Sequence, residues 1–147
     1  MSIVGALLNG ATVVAHVARA HPDAPVLLRC VGLQERFNRE DFCGAGHLVT
    51  YFSRLDGYHC SDAALAAAML YRNNDARSTL PASRVVRRMH ALELQCEVEY
   101  VAQCNIIAAV PKCSATSCCR WRHEHCIDSP LRRRTRCRST RSCWRRT

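Results

Sequence analysis

The stretch YFSRLDGYHCSDAALAAAMLY, residues 51–71, contains a short loop between two segments that both have the character of α-helices. Before the loop, apolar residues follow the i, i+3, i+4, i+7 spacing that gives a helix one buried face, at Leu48, Tyr51, Phe52 and Leu55. Gly57 is suited to end this helix, and Ser61 is suited to cap the next one. The stretch therefore predicts two helices joined by a tight turn, the first of them over residues 46–55.

The second helix of the pair is predicted over Ala63–Arg72 and consists largely of alanine, with leucine and methionine. Alanine is the strongest helix former, and small side chains on most faces let neighbouring elements approach closely on several sides. We therefore expect this helix to lie at a central position of the fold, with Leu65 and Met69 packed beside the apolar face of the first helix.

Weaker helical signals lie on either side of this pair. Residues 3–19 show a loose helical stripe, and residues 20–43, which begin with a proline-rich turn, are predicted to be a connector. From Pro81 to Gln103, apolar residues recur every three or four positions between charged ones, which predicts one long amphipathic helix. The apolar segment NIIAAVP, residues 105–111, fits either a helix or a strand. The predicted fold class is all-α.

The ordered series HLVTYFSRL, CSDAALAAAMLY and LPASRVV resembles the first half of a cyclin box, in particular that of the P-type or U-type cyclins of phosphate-responsive pathways. The likeness extends over about residues 37–100, roughly half of the chain. The positions that match are Tyr51, Arg54, Leu55, Cys60, Ser61, Tyr71, Leu80 and Arg84. The resemblance implies a partial cyclin-box helical bundle.

The same resemblance implies a regulatory subunit that binds a cyclin-dependent protein kinase and has no catalytic residues and no cofactor. The kinase would contact the N-terminal helix and the helix from Pro81 to Gln103. In the latter, Gln95 and Glu99 occupy the positions that in cyclins help contact the kinase. The chain has no match for the fourth and fifth helices of the box, which argues against kinase activation. A cyclin-like role in the cell cycle implies the nucleus or cytoplasm. The odd number of cysteines, 11, and an N-terminus without the basic start of a signal peptide predict a reducing compartment.

Charge and cysteine divide the chain into a body and a tail. Residues 1–111 contain 10 basic and 10 acidic side chains, whereas residues 112–147 contain 11 basic and 2 acidic ones, so the tail accounts for the whole net charge of +9. We expect three regions: an N-terminal helix and connector over 1–43, partial cyclin-box helices over 44–111, and a basic, disordered, low-complexity tail over 112–147. Since no run of about 18 apolar residues occurs, no membrane-spanning segment is expected.

The arginine- and cysteine-rich tail admits three interpretations. Its arginines and Trp144 would suit weak binding of nucleic acid. Its cluster of thiols and imidazoles offers ligands that zinc prefers, although their spacing fits no strong zinc signature: Cys113, Cys118, Cys119, His123, His125 and Cys126. The abrupt change of composition after Lys112 also resembles translation in a shifted frame, in which case the tail has no evolved function. A small helical protein whose tail binds nucleic acid or zinc is the alternative to the cyclin interpretation.

Two Cys/His neighbours in the body are the candidates for nucleophilic catalysis. Cys60 follows His59, and Cys96 lies near His90. No third residue to orient the histidine and no oxyanion site is apparent for either pair. Both cysteines are more simply interpreted as small buried apolar residues, and we expect the protein not to be an enzyme.

Overall fold

The structure, a computed structural model, describes residues 2–32, 36–73, 80 and 83–113. Its elements in chain order are β1 (Ser2–Ile3), one turn of 3-10 helix (Leu7–Asn9), α1 (Gly10–Ala20), α2 (Arg39–Phe52), α3 (Asp62–Asn73), α4 (Arg84–Ala91), α5 (Gln95–Val101) and β2 (Lys112–Cys113). Among these described helices, none is long and apolar enough to cross a membrane. The predicted disordered tail begins at residue 112, but Lys112 and Cys113 form β2, so the prediction is wrong for these two residues. The rest of the tail, and every zinc-ligand candidate except Cys113, lie outside the described residues.

The N-terminal helix begins later than its apolar stripe suggests. Leu7–Asn9 forms a 3-10 turn, and α1 follows from Gly10 with Val13 and Val14 buried. Asn9 interrupts the predicted helix because its side-chain oxygen accepts a hydrogen bond from the backbone N–H of Ala6, at 2.8 Å. A side chain that bonds its own local backbone competes with helix formation, which explains the late start.

The central helix α2 begins earlier than predicted. It starts at Arg39, so part of the predicted connector is helical and the predicted boundary between residues 43 and 44 falls inside α2. Leu48 and Phe52 are buried as their spacing predicts. Leu55 is 38% exposed because α2 ends at Phe52, three residues before it.

The link between α2 and α3 has the predicted turn chemistry. Gly57 has a φ of +84°, a left-handed conformation that glycine adopts without the steric cost of a Cβ. The hydroxyl of Ser61 accepts a hydrogen bond from the backbone N–H of Ala64, at 3.3 Å. This bond satisfies one of the unpaired donors at the start of α3 and confirms the predicted cap.

Helix α3 packs closely against α2, and Tyr71 near its C-terminal end packs against the cluster that contains Leu7 and Val86. At Gly46, an added Cβ would overlap the backbone carbonyl of Ala67, so the two helices can approach this closely only because residue 46 has no side chain. On α3, the buried residues are Ala67 and Ala68, whereas Leu65 and Met69 are 47% and 60% exposed. The expected central position of α3 is therefore not what the structure shows.

The long helix predicted from Pro81 to Gln103 is two shorter helices in its described part. The hydroxyl of Ser83 accepts a hydrogen bond from the backbone N–H of Val86, at 3.0 Å, and caps α4. The helix then stops at Ala91, and Glu93 adopts a left-handed φ of 59° before α5 begins at Gln95. The break turns α5, so that Val98 is buried in the same cluster as Val86.

The apolar segment 105–111 is extended and lies along the N-terminal residues. The backbone N–H groups of Asn105 and Ile107 donate to the carbonyls of Leu7 and Leu8, both at 2.9 Å. Beyond this segment, β2 pairs antiparallel with β1, with Ser2 opposite Cys113. The two ends of the described chain are therefore joined by hydrogen bonds.

Two apolar clusters form the core of the described residues. One contains Leu7, Leu80, Val86, Val98 and Ala102. The other contains Val13, Val14, Leu48 and Phe52. The first cluster joins the 3-10 turn to α4 and α5, and the second joins α1 to α2. The all-α class itself stays a prediction, since the described part combines helices with one small two-stranded sheet.

Candidate functional site

The N-terminal end of α2 brings charged side chains together. Asn38 has the extended conformation of a cap residue, and Glu40 and Asp41 follow in the first helical turn. Carboxylates in this position are stabilised by the partial positive charge of the helix N-terminus. Arg39 lies beside them, so one helix end presents an acid pair and a guanidinium.

Asp41 fastens the preceding loop to this helix end. Its Oδ2 accepts a hydrogen bond from the backbone N–H of Gly32, at 2.6 Å. Gly32 has a φ of +71°, and an added Cβ would lie 2.7 Å from the carbonyl oxygen of Arg36, so both conformation and space require glycine there. Asp41 therefore holds the loop against the start of α2 through this hydrogen bond.

Cys30 lies on the same loop but is not suited to act as a nucleophile. Partial burial and the neighbouring charge of Asp41 both raise the pKa of the Cys30 thiol above its usual range. A raised pKa keeps the sulfur protonated at neutral pH, whereas nucleophilic cysteines require the thiolate.

Glu40 differs from Asp41 in having a buried oxygen with no bonding partner among the described residues. The oxygen is Oε1, and the side chain as a whole is half-buried. Buried polar atoms are nearly always hydrogen-bonded, so an unsatisfied acceptor at a helix end favours a ligand or a water molecule at that point. Glu40 is therefore the carboxylate of this pair best placed for proton transfer.

An open cleft of about 520 Å³ lies beside this helix end, between the start of α2 and the C-terminal half of α3. Its lining is mostly apolar, with Arg39 and Asn73 as the polar members, and consists of Phe37, Arg39, Phe42, Ala66, Met69, Leu70 and Asn73. A guanidinium binds phosphate and carboxylate groups through paired N–H donors. An anionic ligand in the cleft would meet the Arg39 side chain at the positive end of α2.

A second cluster of polar side chains surrounds His47, but it is closed to ligands. His47 is 1% exposed, and its ring contacts Tyr51 and Tyr71 edge-on, with centroid distances of 5.2 and 4.9 Å. Both ring nitrogens are buried without a hydrogen-bond partner in the described part of the chain. Burial lowers the pKa of His47, although Asn105 and the Leu7 backbone act in the opposite direction. A neutral, inaccessible imidazole is a packing group here.

The residues that the sequence singled out lie elsewhere. Gln95 and Glu99 are exposed on α5 and, being four residues apart, share one face of it; their role in partner binding stays a prediction. Cys60 is half-buried and Cys96 exposed, so the prediction that both are buried is wrong for Cys96. Within the described ranges, no three His, Cys, Asp or Glu side chains are grouped as a metal site would require.

The charged end of α2 was missed by the sequence reasoning, which assigned it to a connector. The signal was present as NRED, residues 38–41, where a cap residue precedes two acidic residues of a first turn. That combination is a standard helix start. It was overlooked because the apolar periodicity becomes clear only several residues later.

Comparison with known proteins relates the chain to a phosphatase family. A family model described as 2-phosphosulpholactate phosphatase matches residues 2–116. A protein named probable 2-phosphosulfolactate phosphatase from Carboxydothermus hydrogenoformans is 29% identical over 110 residues, which are 75% of this chain and 45% of that protein. One of the same name from Clostridium acetobutylicum is 25% identical over 112 residues, which are 75% of this chain and 47% of that protein. The chain thus spans less than half the length of these relatives.

These matches overturn the cyclin interpretation. The cyclin-box resemblance, the cyclin-dependent kinase partner, the role in the cell cycle and the absence of enzyme function were all wrong, and nothing supports the nucleus. The alternative of a nucleic-acid- or zinc-binding protein finds no support in them either. The error has a physical origin, because an amphipathic helix, a capped turn and an alanine-rich helix are requirements of helix packing in many folds. Matched over residues 2–116, the chain belongs to the 2-phosphosulpholactate phosphatase family.

Proposed function

We propose that this protein takes part in the hydrolysis of a phosphate monoester on a small sulfonated hydroxy acid, the reaction in the name of its relatives. The family match over residues 2–116 is the observation that carries the proposal. Because the chain covers less than half of those relatives, we propose the described residues as a contribution to the catalytic site.

The charged end of α2 suits the substrate named by the relatives. A phosphorylated sulfolactate has phosphate, carboxylate and sulfonate groups, all anionic at neutral pH. Arg39, which lines the cleft at the positive end of α2, would bind one of these groups. Arg39 is thus proposed as a substrate-binding residue.

The carboxylates of the same turn have separate proposed roles. In phosphate-ester hydrolysis, water attacks phosphorus, the bond from phosphorus to the substrate oxygen breaks, and that oxygen gains a proton as it leaves. Glu40, with its unpartnered Oε1, is proposed to exchange a proton in this step. Asp41 is proposed to position the loop that contains Gly32 through its hydrogen bond.

The test is a chimera in which the aligned stretch of this chain replaces its counterpart in the Carboxydothermus relative, with that relative as positive control. Phosphate release from 2-phosphosulfolactate is measured for the chimera and for three variants. General acid–base and anion-binding residues typically contribute about 10²–10³-fold, so we expect Glu40→Gln to lower kcat by that factor and Arg39→Gln mainly to raise KM.

The matched control is Glu97→Gln. Glu97 is an exposed carboxylate in the first turn of α5, as Glu40 and Asp41 are in the first turn of α2. We expect it to leave kcat and KM unchanged. A chimera that is folded but inactive, or full activity of both the Glu40 and Arg39 variants, would contradict the proposal.

A further inference from the structure

Helix α3 exposes large apolar side chains at and next to the open cleft. Met69 is 60% exposed and Leu65, one helical turn earlier, is 47% exposed. Met69 lines the open cleft together with Leu70 and with Phe37, which is 71% exposed. A contiguous group of large exposed apolar side chains is characteristic of a surface that another polypeptide covers.

The composition of α3 supports the same conclusion. Its sequence, DAALAAAMLYRN, has small or apolar side chains on nearly all faces, which is typical of a helix with neighbours on several sides. In the structure, only Ala67 and Ala68 of this helix are buried, and the backbone carbonyl of Ala67 lies against Gly46 of α2. The amino acids of α3 thus fit more packing partners than the described residues supply.

The relatives are longer than the stretch that this chain matches, and their unmatched part is a candidate packing partner for α3. The chain matches 45% and 47% of the two curated relatives, so more than half of each has no counterpart among the residues matched here. Residues that fold with a shared core commonly leave an apolar face when their packing partners are absent. We therefore expect the unmatched part of a family chain to be the polypeptide that covers this surface of α3.

We propose that one apolar surface is the docking surface for the polypeptide that corresponds to the unmatched part of the relatives. This surface, the cleft face, consists of Phe37, Met69 and Leu70, which line the cleft, and of Leu65, which is exposed one helical turn before Met69. The contact is mostly apolar, and Arg39 lines the same cleft. It closes the cleft beside the charged end of α2, which places that end between two packed parts of the fold. The proposal rests on family membership and on exposure, and it does not depend on catalytic activity.

Met69 itself provides the probe. Methionine oxidation by hydrogen peroxide depends on exposure, and peptide mass spectrometry measures it residue by residue. Oxidation is compared between this chain and the chimera with the Carboxydothermus relative, in which the unmatched part is present. We expect Met69 to oxidise about tenfold more slowly in the chimera, since burial restricts access of the oxidant.

A matched reporter lies outside the cleft face. Leu92 is 61% exposed, after the end of α4, and Leu92→Met places an equally exposed methionine there. We expect the introduced methionine to oxidise at the same rate in the chain and in the chimera. In addition, Met69→Glu places a charge in the apolar contact and should expose the cleft face of the chimera. We therefore expect this variant of the chimera to bind more of a dye that is specific for exposed apolar surface, whereas Leu92→Glu should not change dye binding.

Three results would overturn the proposal. One is an equal rate of Met69 oxidation in the chain and the chimera. Another is equal protection of Met69 and of the methionine introduced by Leu92→Met. The third is protection of Met69 in the isolated chain together with a dimeric mass by light scattering, since a second copy would then occupy the face.

Discussion

At the scale of single residues, the side chain of Asn105 links three parts of the fold, although it belongs to an apolar segment. It adopts a left-handed φ of 56°. Its Oδ1 accepts a hydrogen bond from the backbone N–H of Ala11 in the first turn of α1, and its Nδ2 donates to the hydroxyl of Tyr51, both at 2.7 Å. One side chain thus joins α1, α2 and the extended segment.

We expect Asn105→Ala to lower the free energy of unfolding by about 1–3 kcal/mol, because two hydrogen bonds are lost and alanine is strained in a left-handed conformation. Asn105→Gly removes the strain but not the loss of bonds, so it should also destabilise. Urea unfolding measures both. Glu93→Gly is the control, since Glu93 has a φ of 59° and an exposed side chain; it should be neutral or slightly stabilising. Equal stability of wild type and Asn105→Gly would contradict the proposed role of the side chain.

His47 gives the stability of the protein a pH dependence of known sign. Burial holds its folded-state pKa below the ordinary value of 6.5, and its ring neighbours are the phenols of Tyr51 and Tyr71 and the amide of Asn105. Below pH 6.5 and down to the folded pKa, the unfolded state binds more protons, so stability falls as pH falls through this window. Above this pH window, the contribution of His47 to the free energy of unfolding is complete and constant.

We therefore expect the free energy of unfolding to decline as pH is lowered below 6.5, and His47→Gln to flatten that decline. Urea unfolding at a series of pH values between about 5 and 8 measures the slope. His59→Gln is the control, because His59 is exposed. Some slope should remain in His47→Gln, since the pKa of His16 is also lowered, by burial and by nearby cations such as Lys112 and Arg19. An unchanged slope in His47→Gln would contradict the assignment.

At the scale of secondary-structure elements, the crossing of α2 and α3 depends on one glycine. Gly46 of α2 faces the backbone of Ala67 in α3, and the added Cβ would also contact Tyr71. A backbone carbonyl cannot move aside as a flexible side chain can. The helices must therefore separate if residue 46 acquires a side chain.

We expect Gly46→Ala to destabilise the protein by at least about 2 kcal/mol through overpacking. Gly44→Ala is the matched control in the same helix, because an added Cβ at Gly44 meets nothing within 4 Å. Alanine is the better helix former by about 0.5–1 kcal/mol, so Gly44→Ala should stabilise. Thermal unfolding of the two variants is the measurement. Opposite signs are expected, and a shared sign would show that helix propensity and not close approach governs this crossing.

At the scale of the whole molecule, the N-terminal residues and the end of the described chain are held together by Asn9. Its Nδ2 donates to the carbonyls of Val4, at 3.2 Å, and of Ala109, at 3.1 Å, a residue 100 positions away. Backbone hydrogen bonds and the β1–β2 pair join the same two segments, residues 2–9 and 105–113, and we call this contact the seam. A buried amide is thus the polar centre of the contact that closes the fold.

Replacing Asn9 by alanine should cost about 2–3 kcal/mol, because three part-buried hydrogen bonds, to the backbone groups of Ala6, Val4 and Ala109, are lost. Hydrogen exchange should show lost protection on both sides of the seam, around residues 2–9 and 105–113. Asn73→Ala at the exposed end of α3 is the control, with an expected change within about 0.5 kcal/mol. Loss of protection confined to residues 2–9 would indicate that the seam does not couple the two segments.

The sequence determined the local features of this protein. The spacing of Leu48 and Phe52 specified a buried helix face, and Ser61 specified the start of α3, because 3.6-residue periodicity and capping depend on neighbours in sequence. The same local features could not identify the family, since many helical folds share them. A cyclin-like series of helices was therefore compatible with a chain that belongs to a phosphatase family.

The tertiary structure decided the features that depend on distant partners. The segment 105–111 is extended because Leu7, Leu8 and Val4 supply its hydrogen bonds, and the predicted long helix is broken at Glu93 so that Val98 can join the cluster of Val86. These outcomes depend on pairing and burial between residues far apart in sequence, which local periodicity does not encode. The hydrogen bond between Asp41 and Gly32 was likewise visible only in the structure, although the helix start itself is encoded locally in residues 38–41.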